Sequence, residues 1–147
     1  MNVRRALLAG VVLIGLTASL AYRGRTTALH PFNERHVTVA TIDKARADAQ
    51  RNRKFLMVEF GANWCSDCRE LADSMKQPAI QSRLTNDFVI LNVDVGEFNR
   101  NLDIAKSLGI KADDGIPVAA FFAPTGGTPV IKRGNDPILA FLQSPHP

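Results

Sequence analysis

Two cysteines, one tryptophan, one tyrosine and three histidines are all this 147-residue chain has of the residues that most often ligate metals or make stacking surfaces. Each shortage excludes something. A structural zinc site takes about four ligands. Cys65 and Cys68 supply two, no second cysteine pair exists, and His30, His36 and His146 lie far from them in sequence. A stabilising crosslink normally closes a long loop, because the entropy it removes from the unfolded chain grows with loop length. A pair separated by two residues closes almost none. The chain also lacks internal repeats and low-complexity tracts, so solenoids and disordered arrays drop out. Basic charge is in surplus, net +4, but four arginines, Arg4, Arg5, Arg23 and Arg25, fall in the first 25 residues. Set aside from the 18 basic residues, they leave 14 against 14 acidic ones. With no basic cluster elsewhere, nucleic acid is not an expected partner, since phosphate binding needs clustered positive charge.

What is present begins with "MNVRRALLAGVVLIGLTASLAYRGR". Arginines precede an apolar run over residues 6–22, the charge-then-hydrophobe order of an export segment. The run is longer than the usual signal core and slightly short of the ~20 residues that cross a bilayer. Residues 1–25 therefore read either as a signal peptide, cut near the small residues Ser19 to Ala21, or as an anchor held in an inner membrane by residues 6–22. Both place the remainder of the chain outside a cytoplasm, in a bacterial periplasm, where disulfides persist. Residues 26–36 read as a tether and residues 37–147 as one domain, enough chain to bury a core.

Within that domain "TIDKARADAQRNRK" predicts a helix, with Thr41 or Asp43 as its N-cap. "FLMVEF" (55–60) and "FVILNVDV" (88–95) are short runs of strand formers, expected to be buried on both faces of a sheet. Between them "CSDCRELADSM" and "PAIQSRLTND" predict two helices, the second opening on Pro78. Strand, helices, strand is a βαβ unit with a parallel pair. "NLDIAKSLGI" predicts a helix ending at Gly109. "IPVAAFF" and "TPVIKRG", joined through "APTGG", predict a hairpin, and "NDPILAFLQ" a closing helix capped by Asn135 or Asp136 with Pro137 as its first residue.

The cysteines start a helix directly after a strand. There the free N–H groups and positive end of the helix stabilise a thiolate on Cys65 and lower its pKa. Cys65 can then attack a disulfide, and Cys68, one turn on, can resolve the mixed disulfide. A CxxC in a βαβ setting is the context of a thioredoxin-like redox motif. "WCSDC" and "GIPVAAFF", in this order and separation, make residues 37–143 resemble the thioredoxin superfamily. The resemblance implies an α/β fold, a thioredoxin-like three-layer sandwich with a mixed central β-sheet and helices on both faces. It implies Cys65 as nucleophile, Cys68 as resolving thiol and Trp64 as the aromatic cover of the active-site surface. Pro117 is implied to be a cis-proline, with Ile116 offering backbone hydrogen bonds to an extended substrate. Glu59, six residues before Cys65, matches the family's buried aspartate, which helps move protons to and from the resolving thiol.

The departures carry expectations of their own. Ser66-Asp67 stands where thioredoxins proper have Gly-Pro, and the charge of Asp67 disfavours a nearby thiolate. Cys65 is expected to be less acidic than in strong oxidants and the pair comparatively reducing. Ala112, Asp113 and Asp114 lengthen the approach to Pro117, either as a solvated loop or to select basic partners. The expected activity is protein-disulfide reduction or exchange outside the cytoplasm, on protein dithiol or disulfide substrates, with no bound cofactor and with a membrane electron carrier as a second partner. The alternatives are a reductase for cytochrome c maturation and a carrier that holds copper(I) between soft thiolates. Copper carriers of this fold usually add a nearby histidine and a wider cysteine spacing, and neither is visible in this sequence.

Overall fold

The computed structural model describes residues 31–33 and 36–145, so the expectations for residues 1–30 lie outside the described part of the chain. Among the described residues no helix is long and apolar enough to cross a membrane. The chain runs α1 (Val39–Arg51), β1 (Phe55–Gly61), α2 (Ser66–Ser74), α3 (Pro78–Asp87), β2 (Phe88–Asp94), α4 (Leu102–Ser107), a 3-10 turn (Ala112–Asp114), β3 (Val118–Phe122), β4 (Val130–Arg133) and α5 (Asn135–Gln143). The sheet order is β2-β1-β3-β4. β1 and β2 are parallel, as the βαβ pattern requires, and the other two pairings are antiparallel. The result is the expected mixed sheet.

Alternation along β1 sends successive side chains to opposite faces. Leu56, Val58 and Phe60 join Ile42 and Ala49 of α1 and Ile104 and Ala105 of α4 in one core layer. Met57, on the other face, packs with Leu71 of α2, Ile80 and Leu84 of α3, and Ile138 and Leu142 of α5. Helices thus cover both faces, giving three layers. β1 and β3 are the two inner strands, and the cysteines follow the C-terminal end of β1.

The structure departs from the pattern-based reading in four places. α1 is capped by Thr38 instead of Thr41 or Asp43: Thr38 Oγ1 accepts from Thr41 N–H, and Thr41 Oγ1 accepts from Thr38 N–H, a reciprocal capping box. β2 is not buried on both faces, because it is an edge strand among those described; Ile90, on the face of α2 and α3, is 38% exposed. α5 begins two residues earlier than expected. Gly134, at φ +83°, takes the cap position and Pro137 becomes the third helical residue, still among those whose N–H has no partner within the helix. Finally, residues 31–33 do not hang as a tether: Phe32 is 1% exposed.

Gly109, at φ +76°, closes α4 as expected, with Gly109 N–H donating to Lys106 O and Ile110 N–H to Ala105 O in a Schellman pattern. Before α4, the turn from β2 is locked by Asn101. Its Nδ2 donates to Asp94 O (2.7 Å) and its Oδ1 accepts from Val37 N–H (3.0 Å), tying the end of β2 to the approach of α1. Asn101 is buried and sits at φ +50°, a region asparagine tolerates better than most residues. Asn101→Ala strands a buried donor and a buried acceptor and is expected to cost about 2–4 kcal/mol. Urea denaturation checks this; a loss below about 1 kcal/mol would mean that solvent replaces both bonds.

Candidate active site

Beyond Gly61 the chain leaves the sheet through Ala62-Asn63-Trp64, with Cys65 N–H donating to Ala62 O (3.2 Å). Cys65 is the N-cap of α2, in extended conformation, and its Sγ accepts from Cys68 N–H at 3.1 Å. The sequence therefore puts one sulfur on the unsatisfied end of a nine-residue helix and the other one turn inside it. The two are joined as a disulfide, with Cα atoms 5.3 Å apart. They are unequal: Cys68 is fully buried, while Cys65 retains 6% exposure. An incoming reagent reaches the pair from the Cys65 side.

Around that side stand the other residues singled out from sequence. The Ile116–Pro117 peptide is cis. Cys65 Sγ lies 3.9 Å from Ile116 O, and the Ile116 side chain packs on the cysteines. Pro117 O accepts from Gly134 N–H (2.8 Å), and Arg133 of β4 donates to Gly115 O and, at 2.7 Å, to Lys111 O. The loop before Pro117 is thus clamped to β4, with Asp113 and Asp114 exposed on its 3-10 turn. Trp64 is 52% exposed, its indole Nε1 donating to Gly96 O (2.8 Å) and its ring edge-on to Phe98. It walls a polar cleft of about 230 Å³ shared with Glu97, Asn99 and Arg100. Arg100 is paired to Asp94 at 2.7 Å. Asp67 is exposed in the first turn of α2 and accepts from Ser66 Oγ (3.3 Å).

Glu59 lies in the sheet, 2% exposed, not on the surface. It shares a face with Met57, beneath α2, and its register partners are Asn92 on β2 and Ala119 on β3. Burial pushes its pKa from 4.5 up to about 8. Glu59 Oε1 and Asn92 Oδ1, on paired positions of one face, are both buried without a hydrogen-bond partner.

Three contributors went unread in the sequence: Phe32, Gly61 and Asn63. Phe32 packs on Cys65 and Cys68. Its backbone is held by one side chain: Asn63 Oδ1 accepts from Phe32 N–H (3.1 Å) and Asn63 Nδ2 donates to Phe32 O (2.6 Å). The one available signal was a glycine ending a strand of large apolar residues. Among the described residues no group of three or more His, Cys, Asp or Glu side chains stands together as a metal site. His30 and His146 lie outside the described residues.

A parallel-antiparallel sheet between two helical layers, with a disulfide at the start of the helix after β1 and a cis-proline beside it, defines the thioredoxin-like class. The chain belongs to the thioredoxin-like family, whose sequence model matches residues 37–124. It is 38% identical over 97 residues to the thioredoxin-like protein HCF164, chloroplastic, of Oryza sativa subsp. japonica, a match covering 66% of this chain and 35% of that protein. It is 31% identical over 101 residues to the "Probable protein disulfide-isomerase A6" of Medicago sativa, covering 69% of this chain and 25% of that one. The chain thus spans about a third or less of these plant relatives. Among solved structures, the disulphide isomerase from Xylella fastidiosa Temecula1 superposes with a TM-score of 0.65 at 31% identity, over 78% of this chain and 87% of that one. Disulfide oxidoreduction is the chemistry that this fold and paired cysteines make available.

Proposed function

We propose that the chain is a protein-disulfide reductase working outside the cytoplasm, in a periplasm, exported or held at the membrane by residues 6–22. The observation that carries the reaction is the inequality of the sulfurs, one reachable beside Ile116–Pro117 and one sealed beneath it. In the reduced protein the Cys65 thiolate attacks a substrate disulfide, forming a mixed disulfide and releasing the first substrate thiolate. Cys68 then gives its proton to Glu59 in the fraction of molecules whose carboxyl, with its pKa raised to about 8, is ionised, and the Cys68 thiolate attacks Cys65 Sγ. The Cys65–Cys68 disulfide forms, the second substrate thiolate leaves and takes up a proton, and two electrons have passed to the substrate. Ile116 supplies backbone hydrogen bonds to the extended substrate, and Trp64 the apolar surface beside the attacked sulfur. A dithiol partner, in the membrane or dissolved, returns the pair to the reduced state. The arginines at positions 4 and 5, followed by an apolar run, support the location, being the charge-then-hydrophobe order of an export segment.

The test is the reduction potential of Cys65–Cys68 in glutathione and dithiothreitol buffers. It is expected in the lower half of the range from about −270 mV to about −120 mV. Asp67→Asn removes a negative charge near the Cys65 thiolate, favours the reduced form, and is expected to raise the potential by about 10–20 mV. A wild-type value near the upper end would overturn the reductase reading.

A further inference from the structure

Gly61 ends β1 on the face that carries Met57 and Glu59, directly before the turn to the cysteines. A Cβ placed there would run into the Phe32 ring, overlapping its tip and coming within 2.8 Å of two further ring carbons. The space a side chain at position 61 would fill is occupied by an aromatic ring from 29 residues earlier in the chain. That ring is held by three hydrogen bonds to residues 31 and 32: two with Asn63, and one from Asn92 Nδ2 to Pro31 O (3.1 Å). Asn63 lies between Gly61 and Trp64, and Asn92 is the register partner of Glu59. The anchors of the strap are thus elements of the site itself.

We propose that Phe32 is a positioning residue for the redox pair, a plug that fills the space above Gly61 and shuts solvent and reagents away from the inner thiol Cys68. The inference rests on the reading of Cys65–Cys68 as a working dithiol. Three observations converge on it. Among the buried apolar residues the ring clusters with the two sulfur-bearing residues alone, apart from the two main core layers, with the partly buried Ile116 packed against it. Its hydrogen bonds fix the backbone on either side of the ring, so the ring is placed and not merely sequestered. And the sheet face on which the ring sits, over Gly61, also carries Glu59 and its register partner Asn92, each with a buried side-chain oxygen that has no hydrogen-bond partner. Exposing Cys68 would let a reagent compete with Cys65 for it, and would let water stand in for Glu59 as proton acceptor. The plug thus enforces the order of events: outer sulfur first, inner sulfur only by the intramolecular step.

The experiment is alkylation of the reduced full chain with iodoacetamide, with the ratio of modified Cys68 to modified Cys65 read by mass spectrometry. This readout needs no turnover, so it separates failure of the plug from failure of the reductase reading, which a protein-disulfide reduction assay tests independently. In Phe32→Ala the ratio is expected to rise about tenfold or more, because thiol reactivity follows access. Adding Gly61→Phe to Phe32→Ala returns an aromatic ring to the same space from the other side and is expected to bring the ratio most of the way back. If Phe32→Ala does not fold, Asn63→Ala, which keeps the ring and removes two of its anchors, is expected to raise the ratio in the same direction. An unchanged ratio in the folded variants overturns the proposal. So does a rise that Gly61→Phe fails to reverse, since that would make Phe32 an ordinary core residue.

Discussion

Cys65→Ser is expected to lower protein-disulfide reduction by a factor on the order of a thousand or more, while Cys68→Ser leaves the first step intact and halts the second. The two outcomes differ because the sulfurs differ in access and in setting: Cys65 Sγ sits at the helix N-terminus, where it accepts from Cys68 N–H, and Cys68 is sealed one turn inside. A serine hydroxyl at position 65 cannot attack a disulfide at neutral pH, and the buried thiol at position 68 cannot replace it while it has no exposed surface. In Cys68→Ser the outer thiolate still attacks, but nothing expels the bound substrate, so a covalent adduct through Cys65 should accumulate. Mass spectrometry of the variant mixed with a disulfide-bonded protein would show it. Equal turnover in Cys65→Ser and wild type, or adducts forming on Cys68 in Cys65→Ser at the wild-type rate, would reverse the assignment of attacking and resolving thiols.

The second large effect comes from Glu59, and here stability and activity move in opposite senses. Its folded-state pKa is raised from 4.5 to about 8 by burial, so the folded protein holds a proton that the unfolded chain has released. A group of this kind favours the folded state fully below pH 4.5, and that contribution is lost as pH climbs toward 8. At ~1.4 kcal/mol per unit, the wild type should lose roughly 4–5 kcal/mol across that window. Glu59→Gln has nearly the same shape and no titration at this position, so its stability should lack that loss over the same range. Urea denaturation of the oxidised proteins from about pH 4 to about pH 9 compares the slopes, and any fixed cost of burying the amide cancels in that comparison. A wild-type curve running parallel to that of the variant would show that Glu59 is already ionised when folded. In turnover, Glu59→Gln removes the proton acceptor for Cys68 and is expected to slow the resolving step about a hundredfold.

Much of this was legible in the chain before its structure. Runs 55–60 and 88–95, with helix-forming sequence between them, specify a parallel pair through length and composition alone, and β1 pairs with β2 in that sense. The CxxC could be placed because its position after a strand and at a helix start is a matter of local sequence. The misreadings have physical causes. An edge strand and a central one can carry the same apolar run, so β2 could not be told from β1 without knowing its neighbours. The cap of α1 lay one turn earlier than the apolar period suggested, because Thr38 and Thr41 satisfy each other and need no apolar residue to mark the place. At the start of α5 a glycine at φ +83° set the turn, displacing the two polar candidates. Phe32 was the least readable. Its importance lies entirely in contacts made with residues about 30 positions away, and a single aromatic in a short unpatterned stretch has no period to betray it.

The position of that aromatic also bears on where the protein can be cut. The family match starts at residue 37, and every described strand and helix lies beyond that point. A fragment beginning there would retain the whole sheet, both helical layers and both cysteines, yet would arrive without the ring that sits against them. The smallest piece that holds the architecture and the smallest piece that reproduces the native dithiol are therefore different lengths of chain. A potential measured on the shorter one would belong to a site with its inner wall missing.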